Sequence, residues 1–237
     1  IMLLHLMSPY LAIGFSDQPE VYERYYELDQ LTPKEASLWK RTFIYFMKKL
    51  TFKAGGNKRV LLKSPTHTFR IPFLLKMFPD ARFVYIYRNP YKVYNSTLHL
   101  RRTMFGDNGF APLDMEKLEE DMAHIYENHL HVYERDRQTV PEGQLHEVRF
   151  EDLEADPVSE LRRVYEHLNL DGFEELEKLS PSLIDFNPEK CLGYGNKKGI
   201  VQRFFLLNIP ALEKFHKQIK KELMNKFSLT YYGFCEN

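Results

Sequence analysis

The residues best suited to hold an anion are Arg88-Asn89-Pro90 and, further along, Ser96. A guanidinium is planar, always charged and matches the oxygens of a phosphate with paired donors. Pro90 suits the first position of a helix, and a helix start offers unpaired backbone N–H groups and the positive end of the dipole. Ser96 stands eight residues after Arg88, about two turns into such a helix, where a hydroxyl can face the same anion. On these grounds two readings of Arg88 stay open: a ligand for a phosphate, or a partner for a surface carboxylate.

The charge balance makes any such site local. Lys plus Arg and Asp plus Glu number 33 each, so the 237 residues carry a formal net charge of zero. No global basic field draws the chain to nucleic acid or to an anionic membrane. The two cysteines, Cys191 and Cys235, form neither a disulfide framework nor a metal-type spacing, which fits a reducing compartment. No apolar run approaches the roughly 20 residues of a spanning helix, and the start lacks the pattern of a signal peptide. The expectation is a cytoplasmic chain with no metal, no nucleic-acid partner and no membrane span in this segment.

The elements that must position Arg88 and Ser96 follow from periodicity. Thr32, Pro33 and Glu35 form a capping box. It opens a helix whose apolar stripe reads Leu38, Phe43, Phe46, Met47 and Leu50, ended by Gly55-Gly56. Residues 59–63, with Val60, Leu61 and Leu62, read as a buried strand. A turn and a helix over 69–77 follow, then a second buried strand over 81–87 and a helix over 91–102. Strand, helix, strand, helix in that order predicts a parallel βαβ unit. In open parallel sheets ligands bind beyond the carboxyl ends of the strands, which is where Arg88 falls.

Residues 104–113, with two glycines and a proline, read as a loop able to cover a substrate. A helix over 115–137 carries Met122, Ile125, Tyr126, His129 and Tyr133 as a stripe. Residues 145–150 form a third strand candidate, and Asp156-Pro157 opens a helix through Leu161, Val164, Tyr165 and Leu168. A last helix carries Leu212, Phe215, Ile219, Leu223 and Phe227 at spacings of three and four. No repeat or linker divides the chain, so residues 1–237 are expected to form one domain.

Three ordered motifs resemble a known family. Arg88, Pro90 and Ser96 fit the Arg-x-Pro pattern, with serine eight residues after the arginine, of sulfotransferases that use 3′-phosphoadenosine-5′-phosphosulfate (PAPS). Residues 61–67, Leu-Leu-Lys-Ser-Pro-Thr-His, are similar to the Leu-Leu-Lys-Ser-Pro-x-His segment of the broad, largely bacterial branch. Downstream, Phe150-Glu151-Asp152-Leu153 resembles the family's aromatic-Glu-Asp-Leu stretch.

The resemblance implies an α/β, P-loop-NTPase-like three-layer fold, with a parallel central sheet flanked by helices. It implies an enzyme that moves a sulfuryl group from PAPS, a co-substrate needing no metal, to a hydroxyl or amine of a small-molecule, glycan or lipid acceptor. Arg88 and Ser96 would hold the 3′-phosphate. Sulfuryl transfer resembles phosphoryl transfer in relying on positioning and cations, and Lys63 is placed to offset the developing charge. His67 could take the acceptor's proton, although cytosolic members space their Lys-x-His pair by two residues, against four here. Phe150 could stack on the adenine. Lys197 and Lys198, in Asn196-Lys197-Lys198-Gly199, are similar to the basic loop that wraps the 3′-phosphate.

The family's Gly-x-Pro-(Arg/Lys)-Ser-Gly-Thr-like phosphosulfate loop does not occur in this sequence; Gly14-Phe15-Ser16-Asp17 does not fit it. The expectation is therefore a chain truncated at its N-terminus. The alternative is a non-catalytic nucleotide-binding relative that holds only the 3′-phosphate. A P-loop kinase is disfavoured, because the chain has no Gly-rich Lys-Ser/Thr loop.

Overall fold

Helix capping and short apolar runs account for most of the elements in the computed structural model of the chain. It describes residues 6, 9, 20–53, 59–108 and 114–183. In chain order the helices and strands are α1 (Glu20–Glu23), α2 (Pro33–Lys53), α3 (Ile71–Met77), β1 (Phe83–Tyr87), α4 (Pro90–Asn108), α5 (Met115–Asp136), β2 (Leu145–Arg149), α6 (Phe150–Ala155), α7 (Pro157–His167) and α8 (Phe173–Leu183). The 3-10 turns Pro65–Arg70 and Arg137–Thr139 lie among them. The predicted last helix and Asn196–Gly199 lie outside the described residues.

The chain divides into two compact units. The first takes Ile1–Ala81, Arg101–Asp114 and Glu127–Pro141, and the second Arg82–Leu100, Met115–Tyr126 and Glu142–Asn237.

In the first unit α2 begins as its capping box requires. The Thr32 Oγ1 hydroxyl donates to Glu35 Oε2 at 2.7 Å, and the Thr32 backbone N–H reaches the same oxygen at 2.9 Å. The helix then buries Trp39 and Phe43, not the Leu38 side of the expected stripe: Trp39 is 2% exposed and Leu38 52%. The indole stacks on Phe43 at 5.0 Å and meets the edge of Phe73 at 5.4 Å. The large ring takes the core because it removes more apolar area from water than leucine.

Two expectations fail in this unit. Residues 59–64 form no strand among the described residues, and Leu61 is 91% exposed. An apolar run becomes a strand only where a neighbour satisfies its backbone groups, and no described strand lies beside it. Residues 104–108, expected as loop, continue α4, while 109–113 lie outside the described residues.

In the second unit β1 and β2 pair in parallel, with Phe83 opposite Leu145 and Tyr87 opposite Arg149. The parallel pair thus joins the second and third expected strands instead of the first and second. Val148 of β2 packs with Val164 and Leu168 of the α7 region, flanked by Leu153 and Leu170. α7 starts at its expected cap, where Asp156 Oδ1 accepts from the Ser159 N–H at 3.1 Å. It ends where Asn169 turns into the left-handed region (φ 47°) and the Leu170 N–H returns to the Tyr165 carbonyl at 2.8 Å. β1 is not buried on both faces as expected: Val84 and Ile86 are 44% and 52% exposed. Alternation along a strand sends these two residues to one face, and that face is open.

Candidate functional site

Lys63 and His67 belong to the first unit, and Arg88, Ser96 and Phe150 to the second. Lys197 and Lys198 lie outside the described residues.

In the first unit, Lys63 is exposed just before the Pro65–Arg70 turn. The turn after it is clamped from below. Ser64 Oγ and Thr66 Oγ1 share a hydrogen bond of 2.9 Å, and Thr66 Oγ1 accepts from Arg70 Nη1 at 3.2 Å. Arg70 Nε donates to the Tyr26 carbonyl at 3.0 Å and Nη2 to the Tyr25 carbonyl at 2.5 Å. The guanidinium also lies over the Trp39 ring at 5.1 Å. Arg70 is only 5% exposed, and among the described residues no carboxylate pairs with it. Burial lowers its pKa to about 10, so it stays charged at neutral pH.

His67 feels that charge. Its pKa is lowered to about 4, first by burial and then by Arg70. The ring meets Phe43 edge-on at 5.8 Å, and Nδ1 is buried without a hydrogen-bond partner. His67 is therefore neutral at pH 7, the form that can accept a proton. A base of such low pKa gives little driving force there.

In the second unit, the register does the positioning. Tyr87 lies opposite Arg149, so the next residue of each chain segment, Arg88 and Phe150, emerges side by side at the carboxyl edge. The Arg88 guanidinium lies 4.2 Å from the Phe150 ring centroid. A cation over an aromatic face is held without spending its N–H donors. Arg88 Nε is buried with no partner, and no ion pair links Arg88 to a carboxylate among the described residues. The neighbouring Arg149 is instead the one that pairs, with Glu151 and Asp152, each at 3.5 Å.

The expected backbone donors are already used. Asn89 caps α4: its Oδ1 accepts from the Tyr91 N–H at 3.0 Å and the Lys92 N–H at 3.3 Å. The Asn89 N–H donates to Glu151 Oε1 at 3.3 Å, and the Val93 N–H to the Asn89 carbonyl at 3.1 Å. Pro90 has no N–H to offer. The helix start therefore holds no spare amide, and an anion at this edge must be bound by side chains.

Within α4 the buried residues Pro90, Tyr94 and Leu98 form one stripe. Ser96, two residues from Tyr94 and from Leu98, falls on the opposite side at 100° per residue. It is half-buried. Thr97, by contrast, returns its hydroxyl to the Val93 carbonyl at 2.8 Å.

Sequence reasoning missed Arg70 and the capping role of Asn89. Both left signals. Arg70 sits between Phe69 and Ile71, and a cation inside an apolar run must find acceptors there. Asn89 directly precedes a proline at a helix start, the favoured capping position.

A parallel strand pair with helices before, between and after its strands makes this an α/β protein. The chain belongs to the sulfotransferase family, whose profile matches residues 11–175. Among characterised relatives are omega-hydroxy-beta-dihydromenaquinone-9 sulfotransferases Stf3 of Mycobacterium bovis and Mycobacterium tuberculosis. Each is 39% identical over 190 residues, which are 80% of this chain and 48% of the relative. The chain thus spans about half the length of the curated relatives it matches. The crystal structure of sulfotransferase STF9 from Mycobacterium avium has a similar fold, with a TM-score of 0.57 at 20% identity. That likeness covers 86% of this chain and 50% of the other, and it agrees with the α/β class expected from the sequence.

Proposed function

We propose that this protein transfers a sulfuryl group from PAPS to a hydroxyl or amine, with Arg88 and Ser96 holding the donor's 3′-phosphate. The supporting observation is the unspent guanidinium of Arg88, over Phe150 at 4.2 Å, at the carboxyl edge of the parallel pair. Charge-assisted hydrogen bonds of this type contribute about 1.5–3 kcal/mol each. In the reaction an acceptor oxygen or nitrogen attacks the sulfur. The bond from sulfur to the 5′-phosphate oxygen breaks, 3′-phosphoadenosine 5′-phosphate (PAP) leaves, and the acceptor loses a proton. Lys63, exposed at the end of its segment, offers the ammonium that offsets charge on the sulfuryl oxygens. His67 orients the acceptor and takes its proton only weakly, because burial and Arg70 depress its basicity. The relatives' names point to a hydroxylated isoprenoid quinone as acceptor in those proteins, and a lipid alcohol is the acceptor class we assign here.

Thermal unfolding with added nucleotide tests the donor site, because a ligand of the native state raises its stability with concentration. PAP should raise the melting temperature well above the effect of adenosine 5′-phosphate, which lacks the 3′-phosphate. Equal responses to the two nucleotides would remove Arg88 and Ser96 from the site.

A further inference from the structure

The outer side of α2 is basic and apolar at once. Leu38, Tyr45 and Phe52 recur every seven residues and are 52%, 54% and 88% exposed. Seven residues are nearly two helical turns, so the three side chains line one row about 21 Å long. That row lies opposite Trp39 and Phe43, the buried residues of the same helix. Lys34, Arg41 and Lys48 follow the same seven-residue spacing beside it, and all three are exposed. Lys49 leans across it, its Nζ 4.5 Å from the Tyr45 ring. The only acid of the helix, Glu35, is engaged by Thr32 and by Arg24 at 2.5 Å.

We infer that this face of α2 docks the protein on an anionic lipid surface. An interfacial helix of this kind sinks apolar side chains to the level of the acyl boundary and keeps its cations among the headgroups. Exposed leucine and phenylalanine gain by leaving water there, while each cation is drawn to the anionic leaflet. A phosphodiester backbone would use the cations but not Leu38 or Phe52. A second copy of the same face is opposed by its own like charges. Among the described residues no helix is long and apolar enough to cross a membrane. The chain's zero net charge does not oppose docking, because the field is local and screened within about 8 Å at physiological salt.

Co-sedimentation of the chain with vesicles tests the inference. One set is pure phosphatidylcholine, and the other replaces a third of it with phosphatidylglycerol. The chain should bind the anionic vesicles and not the neutral ones, and high salt should release it. L38S/Y45S/F52S should weaken anionic-vesicle binding about tenfold or more, and K34Q/R41Q/K48Q/K49Q roughly a hundredfold or more. All seven side chains are exposed, so circular dichroism should show both variants folded. Failure of the chain to bind anionic vesicles would overturn the inference, as would binding by both variants as strong as the parent's. So would dependence on these residues seen only in self-association, or only in binding to RNA or an acidic polypeptide. Stabilisation by PAP, read on the same samples, reports on the donor site independently.

Discussion

Two arginines in the two units show opposite uses of the same side chain. Arg70 is 5% exposed and spends Nε, Nη1 and Nη2 on two backbone carbonyls and a threonine hydroxyl. Arg88 is half-buried, rests on Phe150 and leaves Nε without a protein acceptor. Each is seated over an aromatic ring, so the ring does not separate them. The difference lies in the donors. A guanidinium whose donors end on fixed protein oxygens braces a fold, and one whose donors are kept back is suited to an incoming anion.

The sharpest way to break this contrast is Arg70→Met. It strands the part-buried carbonyls of Tyr25 and Tyr26, while Thr66 Oγ1 keeps Ser64 as partner, and leaving such groups unpaired costs about 1–3 kcal/mol each. Unfolding in urea should therefore show a loss of about 3–5 kcal/mol. If the variant is as stable as the parent, Arg70 is not a brace.

Arg88→Ala should do the reverse. Its affinity for PAP should fall by about 2–3 kcal/mol, roughly 30- to 150-fold by calorimetry. Its unfolding free energy should move by only about 1 kcal/mol, the scale of a cation–π contact. A large stability loss with unchanged affinity would make Arg88 a second Arg70.

Acidification reads the burial of His67 and, second to it, the charge of Arg70. The folded-state pKa of His67 is about 4, below its value of about 6.5 in an unfolded chain. The unfolded state thus binds more protons between these values, and stability rises with pH across that window. The contribution is fully present above pH 6.5 and is lost as pH falls towards 4. His129, lowered to about 4 by burial, adds a slope of the same sign. His67→Gln should remove about 2 kcal/mol of this pH dependence, measured as urea midpoints from pH 7 to 4. An unaltered slope would place His67 in solvent.

Asn89→Ala is the smallest change. Loss of a helix cap costs about 1 kcal/mol. It also frees the Tyr91 and Lys92 N–H groups, so PAP affinity should hold or rise slightly. A clear fall in affinity would mean that Asn89 itself contacts the phosphate.

The second unit was more legible in the sequence than the first. Residues 81–87 read as a strand because β-branched and aromatic residues fill them, 145–150 as a strand candidate, and the observed pair keeps these bounds within two residues. Once they pair in parallel, Arg88 and Phe150 meet without further information. The first unit depends on partners that local pattern does not name. Residues 59–63 have a strand's composition but no described neighbour to pair with. Leu38 and Trp39 are adjacent, and spacing alone could not choose which faced inward; ring size and the Phe73 contact decided it. The capping box at Thr32 was readable because all its parts lie within four residues. The brace at Arg70 was not, because its acceptors Tyr25 and Tyr26 are more than forty positions away.

Phosphorus NMR of PAP bound to the chain tests the central claim most directly, since its 3′- and 5′-phosphates resonate separately. On adding the chain, the 3′-phosphate signal should shift and broaden, and Arg88→Ala should abolish that change while the variant stays folded. A 3′ signal that responds identically with and without the Arg88 guanidinium would contradict the account.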